Sequence, residues 1–372
     1  MKPFVWLCCL GNKHVTKHFN MKKTLLLILV MMGCVTVSAQ KLAKNELKQL
    51  QSFLAMTSEK GVTNAQVLQI PDMRNPSLWK GVTIENNHVT AIDWKHKNMA
   101  GALDLSGFAA LKTVDVSHNK LTSISLAGCG ALVDFNASRN ALTSVDFTGC
   151  ESLSKINVSG NRLTELTLAD VAEIKNINCS NNLFVDLNVS GAMKLETLNC
   201  QDCHLQNLRI DGCTALKNLF CGYNRLTTLN LLGTENLSVL NVDDNQITTM
   251  ILSGLPSLST LMCSDNHMNS LVLRNCGALM DLICSYNYLT TLSIEDCPSL
   301  VFVDCSYNNL TELNLSNQTF LQRLLCNNNQ LTTLDVSFDP ALTFVNCRFN
   351  LITDLRTLST PNLRMIAYRW NY

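Results

Sequence analysis

Apolar and polar residues follow one another along most of this chain in a pattern that repeats every 21 residues. Each unit reads L-x-x-L-x-C/V-x-x-N-x-L-T-x-L-x-L-x-x-C/x-x-x, and residues 321–342 illustrate it. Both halves of the unit contain apolar residues two positions apart, which is the spacing of a β-strand and not of a helix. The pattern therefore predicts a coil with a parallel strand on each of two sides and little helix.

An asparagine occupies the same position in nearly every unit. A constant period of this length is typical of a solenoid, in which stacked units bury apolar faces that no single unit can bury. We expect each asparagine to point inward and to bond backbone groups that the turn leaves unpaired. Cys203 replaces the asparagine once, and Asn98 and Asn371 extend the series. The regular members are Asn119, Asn140, Asn161, Asn182, Asn224, Asn245, Asn266, Asn287, Asn308, Asn329 and Asn350.

The unit closely resembles the leucine-rich repeat, in particular the nested 21-residue type called IRREKO. The resemblance extends over residues 98–372, and it is specific because the motif keeps its phase through successive copies. W-x-G-V at Trp79 and V-T-x-I-D at Val89 also resemble the amino-terminal caps of such proteins, so Trp79 and Trp94 are interpreted as cap core. The resemblance implies a leucine-rich repeat solenoid with strands on both sides, in a secreted bacterial protein.

Residues 40–97 are expected to form a small α+β cap, because a solenoid otherwise exposes the apolar end of its first coil. Leucines at helical spacing predict an amphipathic helix over residues 42–57. Thr63-Asn64 predicts the start of a second, short helix. Two strands should meet at a turn formed by Asn86-Asn87.

Residues 1–39 carry the features of a secretory signal. A short basic head follows Met21, an apolar run over residues 25–35 is too short to span a bilayer, and small residues precede a cleavage site after Ala39. We expect Met21 to be the start, with an upstream extension before it. The mature chain is expected to be exported, to the periplasm, the cell surface or the medium. Cys34 leaves lipid anchoring open as an alternative.

Composition and charge narrow the range of partners. Charged residues make up 16% and apolar residues 47% of the chain, which excludes a mostly disordered protein. The formal net charge is zero, and removal of the lysine-containing signal segment leaves a small acidic excess. Nucleic acid binding needs a clustered basic surface, so we expect no nucleic acid partner. We also expect no transmembrane segment in the mature chain.

Most of the 17 cysteines fall into two columns of the repeat. The position three before the asparagine alternates between Cys and Val, which is typical of a core position where a thiol acts as a small hydrophobe. We therefore expect buried, reduced thiols. Disulfides between neighbouring coils are the alternative, since export goes with oxidation, but parallel side chains suit the bridge torsion badly. The two columns contain Cys179, Cys200, Cys221, Cys263, Cys284, Cys305, Cys326 and Cys347, and Cys129, Cys150, Cys213, Cys276 and Cys297.

Metal sites are not predicted. No C-x-x-C pair occurs in the array, which argues against zinc. Asp244 and Asp265 occupy neighbouring units, and Asp202 and Asp243 lie near them, so their charges favour a cation or a basic partner. A solvated acidic edge is the simpler interpretation, because no calcium-loop motif is present. We predict no metal, no other cofactor, and no metal at Cys203.

Function is expected on outward positions of the strand side, which lie six, four, two and one residues before each asparagine. These positions are small and polar in the early units, and from Phe220 onward many are aromatic, aliphatic or arginine. Such a composition is typical of protein-binding hot spots. We predict a protein partner, with a glycan as the alternative; these side chains could instead cover one another. The predicted binding residues are Phe220, Tyr223, Met262, Ile283, Tyr286, Phe302, Tyr307, Arg323, Leu325, Phe344, Arg348 and Phe349.

Catalysis is not expected. The seven histidines are scattered, and the chain lacks a phosphate-binding glycine loop and a metal-ligand signature. The alternative to partner binding is structural self-assembly through an uncapped carboxy-terminal end. The chain stops at Arg369-Trp370-Asn371-Tyr372, just after a predicted strand, and an exposed strand edge can pair with another chain. A truncated gene would leave the same end.

Overall fold

Residues that are 21 apart in sequence lie side by side in space. Thr197 pairs with Asn218, and Arg323 with Phe344, in parallel register. The repeat period therefore sets the register along the solenoid. The computed structural model describes residues 41–58, 61–316, 318–358 and 360–371. The predicted signal segment and the alternative anchor at Cys34 lie outside the described residues.

The cap consists of helices and one hairpin. Its elements are α1 (Lys44–Ala55), α2 (Asn64–Val67), a 3₁₀ turn (Pro76–Leu78), β1 (Val82–Glu85) and β2 (His88–Asp93). Thr63 caps α2 through reciprocal bonds with Gln66, as its position in the sequence predicted. Asn86 and Asn87 both have positive φ and join the two strands. The cap is continuous with the array, because β2 also pairs with the next strand of the long sheet.

Two buried polar side chains fasten α1 to the rest of the cap. The Glu46 carboxylate, 1% exposed, accepts a bond from the Val89 backbone N–H at 2.8 Å and contacts His88 Nδ1 at 2.8 Å. Asn64 Nδ2 donates to the carbonyl oxygen of Phe53 at 3.0 Å. Trp94 is fully buried, and its ring stacks on that of Phe53 at 5.8 Å. The cap core thus contains Trp94, as expected from the sequence.

One continuous sheet of 15 strands runs along the molecule. Only the β1–β2 pair at its start is antiparallel, and the later pairs are parallel. Besides β1 and β2, the sheet contains β4 (Thr113–Asp115), β6 (Asp134–Asn136), β8 (Lys155–Asn157), β9 (Asn176–Asn178), β11 (Thr197–Asn199), β13 (Asn218–Phe220), β14 (Val239–Asn241), β16 (Thr260–Met262), β18 (Asp281–Ile283), β20 (Phe302–Asp304), β21 (Arg323–Leu325), β23 (Phe344–Asn346) and β25 (Met365–Ala367).

The second side of each coil also carries parallel strands, as predicted from the apolar spacing that both halves of the repeat share. These strands form four short sheets instead of one, because some coils cross this side without regular pairing. The sheets are β3 (Ala100–Asp104), β5 (Lys120–Ser125) and β7 (Ser144–Asp146); β10 (Asp186–Asn188) and β12 (Asn207–Arg209); β15 (Thr249–Ser253), β17 (Ser270–Arg274) and β19 (Thr291–Glu295); and β22 (Thr333–Asp335) and β24 (Asp354–Arg356).

The asparagines of this column each bond at least three backbone groups. Asn308 Nδ2 donates to the carbonyl oxygens of Cys284 and Cys305 at 3.0 and 3.1 Å, and its Oδ1 accepts from the Leu289 N–H at 3.0 Å. One amide therefore links its own coil to the preceding one. The same three contacts are made by Asn140, Asn161, Asn182, Asn224, Asn245, Asn266, Asn287, Asn329 and Asn350.

Cys203 reproduces only the donor half of this arrangement. Its Sγ donates to the Cys179 carbonyl oxygen at 3.2 Å, which is the cross-coil bond that the asparagine amide makes elsewhere. A thiol has no carbonyl oxygen to accept the N–H of Phe184, whose counterparts Leu163 and Leu205 donate to asparagines. Cys203 is therefore a buried core residue that replaces the donor contact of the asparagine.

The cysteine columns lie in the core. All fourteen described cysteines are buried free thiols. Burial raises the pKa of most of these thiols, for example to about 12 for Cys221, whereas a hydrogen bond with Cys276 lowers the pKa of Cys297. Among the described residues no group of three or more His, Cys, Asp and Glu side chains is placed to hold a metal ion. The columns thus supply apolar packing between coils.

Candidate functional site

Outward and inward positions alternate along each strand of the long sheet. In β23, Phe344 and Asn346 are half-buried, whereas Val345 and the following Cys347 are buried. The positions six and four before the asparagine therefore face solvent, as expected from the period. We refer to the outward side of this sheet as the strand face.

The position two before the asparagine departs from the prediction, because it is buried in many coils. Ser138 shows why: its Oγ donates to Asn136 Oδ1 at 2.8 Å, and its backbone N–H donates to the same atom at 3.1 Å. Ser159 and Ser180 make the same pair of bonds. The polar residues of the early coils thus bond to one another and leave few groups for a partner.

The structure divides the predicted binding residues into two groups. The first group projects from the strands themselves, where Arg323 is exposed and the others are half-buried. We call it the strand-face cluster, and it consists of Phe220, Met262, Ile283, Phe302, Arg323, Leu325 and Phe344. The remaining predicted residues, Tyr223, Tyr286, Tyr307, Arg348 and Phe349, lie beyond the strand ends, where the chain bends away from the sheet.

The strand-face cluster is ordered by the register of the sheet. Arg323 lies directly between Phe302 and Phe344 on neighbouring strands. Its guanidinium carbon is 5.3 Å from the Phe302 ring centroid and 5.9 Å from that of Phe344. Cation–π contacts at such partly exposed positions contribute about 0.5–1 kcal/mol each. They hold the guanidinium at the centre of an apolar surface, with its N–H groups available to a partner.

Apart from Arg348, the second group belongs to a row with an unusual backbone. The residue immediately before each asparagine adopts a left-handed conformation, with φ of 56° at Tyr223, 53° at Tyr286 and 57° at Phe349. This region favours Gly, Asn and Asp, and a bulky residue there costs about 1–3 kcal/mol. We call this row the rim; over the later coils it consists of Tyr223, Asp244, Asp265, Tyr286, Tyr307, Asn328, Phe349 and Trp370.

Neighbouring aromatic residues of the rim stack on one another. The rings of Tyr286 and Tyr307 are 4.3 Å apart and 8° from parallel, and those of Phe349 and Trp370 are 6.1 Å apart and 2° from parallel. Each ring covers one face of its neighbour, which fits the expected alternative that these side chains shield one another in part. They nevertheless remain accessible, with Tyr223 58% and Trp370 53% exposed.

Acidic residues of the rim carry charges that the chain does not neutralise. No ion pair between described residues includes Asp243, Asp244 or Asp265. Desolvation, and then the like charge of Asp244, raise the pKa of Asp265. The charge of Asp244 also raises the pKa of the Tyr223 hydroxyl. These carboxylates therefore leave an unbalanced negative potential on one part of the rim.

A feature that sequence reasoning missed lies on the second side of the coils. Gln318 and Asp339 occupy the second cysteine column yet are buried, and each has a side-chain oxygen without a hydrogen-bond partner. Burial, and then the charge of Asp335, raise the pKa of Asp339 to about 7. Asp339 lines a cavity of about 670 Å³ beneath β19 and β22. The signal in the sequence is the acidic residue at the position ten after Asn329, which is occupied by Cys in several other repeats.

Similarity to known structures identifies the fold. A leucine-rich effector protein, YopM of Yersinia pestis, matches with a TM-score of 0.55 and 22% identity over 70% of this chain and 78% of its own. A leucine-rich repeat protein of Leptospira interrogans matches with a TM-score of 0.50 and 18% identity over 73% and 78%. No protein-family model and no curated protein matches the sequence. The chain is a leucine-rich repeat solenoid.

Within the described part of the chain, no helix has the length and apolar character needed to cross a membrane. The Toll–Spätzle complex of Drosophila also matches, with a TM-score of 0.52 and 18% identity over 66% of this chain and 45% of that one. These matches concern the fold alone.

Proposed function

We propose that this protein is a non-enzymatic scaffold that recognises a protein partner through its strand face. The observation that carries the proposal is the Phe302–Arg323–Phe344 stack. An arginine held between aromatic rings, within a wider apolar cluster, is typical of interface hot spots. Most leucine and cysteine side chains of the repeats, and most of the column asparagines, are buried in the core. The side chains of the strand-face cluster remain available for recognition.

A protein partner is favoured over a glycan by the orientation of the rings. Glycan recognition commonly uses exposed aromatic faces, but Tyr286 and Tyr307 cover one another's faces. Phe302 and Phe344 contribute one face each to Arg323. The surface therefore presents ring edges, methyl groups and guanidinium N–H donors, which suit a mixed apolar and acidic protein surface.

We further propose that the chain is exported. Support comes from the basic head, apolar run and small residues before Ala39 in the sequence. Edman sequencing and mass measurement of the mature protein would test this. A start at Gln40 would agree with conventional cleavage, whereas an acylated amino terminus at Cys34 would indicate lipid anchoring.

The strand-face proposal is tested by the double substitution Phe302→Asp and Phe344→Asp, with partners captured by cross-linking and identified by mass spectrometry. We expect the bound partner to be lost, because two buried carboxylates would oppose the interface. The matched control is Asn176→Asp with Asn218→Asp, which occupies the same positions two coils apart in the polar region. Equal capture by both double variants would contradict the proposal, and a polysaccharide array would reveal a glycan ligand instead.

A further inference from the structure

Charged residues beside the rim are separated by sign along the solenoid. Asp244 and Asp265 belong to earlier coils, and Arg348 and Arg369 directly precede the rim residues of later coils. All four side chains are at least partly exposed. Tyr307 lies between the two charged groups. The rim, together with the arginines that directly precede its last two residues, thus runs from acidic through aromatic to basic.

The two charged groups are placed symmetrically about Tyr307. Asp265 lies two coils before Tyr307, and Arg348 lies on the second coil after it, directly before the rim residue Phe349. Asp244 lies three coils before it and Arg369 three coils after it. With strands about 4.8 Å apart, these separations are about 10 Å and about 14 Å on either side.

No ion pair between described residues involves Asp244, Asp265, Arg348 or Arg369. By contrast, several charges on the rest of the surface are paired across neighbouring coils, such as Lys217 with Glu196 at 2.8 Å. The rim therefore keeps opposite charges apart that a second surface could neutralise.

We propose that the rim binds a second copy of this chain in antiparallel orientation, with a twofold axis at Tyr307. A twofold rotation reverses the order of coils, so an acid–tyrosine–base row meets a base–tyrosine–acid row. Asp265 then faces Arg348 of the second copy, and Asp244 faces its Arg369. Charge complementarity of this kind fixes register and orientation between partners.

Aromatic side chains supply the apolar part of the same interface. In this register Tyr307 meets its symmetry mate, and Phe349 and Trp370 come to lie near the acidic coils of the second copy. These side chains occupy a backbone region that disfavours bulky residues, and contact with a second copy would offset that cost. The arrangement goes beyond the proposed function, because the strand-face cluster lies on other columns and stays open to a different partner.

Charge reversal at each end tests the proposal. One variant of the full chain carries Asp244→Lys and Asp265→Lys, and the other carries Arg348→Glu and Arg369→Glu. Sedimentation velocity should show a dimer for the unmodified chain and a monomer for each variant alone, because like charges then meet. An equimolar mixture of the two variants should form a dimer again, since opposite charges are restored at both ends.

Dimer formation in the mixture would also show that both variants are folded. A control with Asp186→Lys and Asp211→Lys, two exposed aspartates of the second side, should remain dimeric. A monomeric unmodified chain at every concentration would overturn the proposal, and so would dimers of both variants or a mixture that stays monomeric. Partner capture is measured with separate variants at Phe302 and Phe344, so failure of the dimer proposal is distinguishable from failure of the proposed function.

Discussion

Single residues in this protein are defined by the column they occupy. The asparagine column is retained because one amide satisfies two carbonyl oxygens and one N–H across neighbouring coils. Leaving such buried groups unpaired costs about 1–3 kcal/mol at each position. Cys203 keeps the donor contact through Sγ, which explains how one coil tolerates the replacement. The residue type in the asparagine column is thus set by the backbone groups that would otherwise lack a hydrogen-bond partner.

Asp339 is the clearest exception, because a carboxyl occupies a core column. The pKa of Asp339 in the folded chain, about 7, lies above its ordinary value of 3.8, so the folded state binds this proton more tightly than the unfolded state. Stability from this group is therefore fully present below the ordinary value of 3.8, and it is lost as the pH rises from there through about 7. We expect unfolding free energy to fall by about 2 kcal/mol between about pH 5 and about pH 8.

The substitution Asp339→Asn should remove most of this dependence and stabilise the chain at the higher pH, because the charge is absent throughout. Urea unfolding across the pH range measures the effect. Asp146→Asn, at the equivalent position of an early coil, is the control: hydrogen bonds from Thr148 lower the pKa of Asp146, so this change should not stabilise the chain there. A parallel pH profile for Asp339→Asn and the unmodified chain would contradict the expectation.

At the level of elements, the two sides of the coil differ in continuity. Strands of the long sheet have neighbours throughout, whereas the second side is divided where residues such as Leu313 and Leu315 cross without regular pairing. The cavity lined by Asp339 lies at one such break. Leucine spacing is the same in paired and unpaired coils, so the repeat pattern alone does not distinguish them.

Within the cap, the buried carboxylate of Glu46 holds α1 against β2. Glu46→Ala should lower the free energy of unfolding by about 1–3 kcal/mol, because the Val89 N–H loses its acceptor in a buried place. Hydrogen exchange at Val89 and chemical unfolding measure the loss. Glu46→Gln retains an acceptor oxygen and should cost less. Equal effects of the two substitutions would show that the hydrogen bond is not what matters.

The whole molecule is stabilised mainly by contacts between neighbouring coils. Strand pairs join residues one repeat apart, so each coil packs on the one before and the one after. Stability in such an array approximates a sum over coils and their interfaces. The stability of the array therefore depends less on where a coil lies than on its register with the neighbouring coils.

Removal of one complete repeat should consequently be tolerated. Deletion of residues 183–203 joins Asn182 to His204 and keeps every later residue in its column. We expect a folded protein that unfolds cooperatively and is less stable than the unmodified chain. Circular dichroism and urea titration measure this. Deletion of residues 183–192 is the control, because it moves later leucines out of the core columns. Similar behaviour of the two deletions would show that register does not govern the fold.

The period of 21 residues determined much of this structure before any contact was known, because parallel stacking converts sequence distance into position. It placed the leucines, cysteines and asparagines in the core and Phe302, Arg323 and Phe344 on one face. Tertiary structure alone decided where the backbone turns. That turn gives the rim its left-handed conformation, separates Tyr286 and Tyr307 from the strand-face cluster, and buries position two before the asparagine. Such features depend on contacts with the next coil, which a single repeat does not contain.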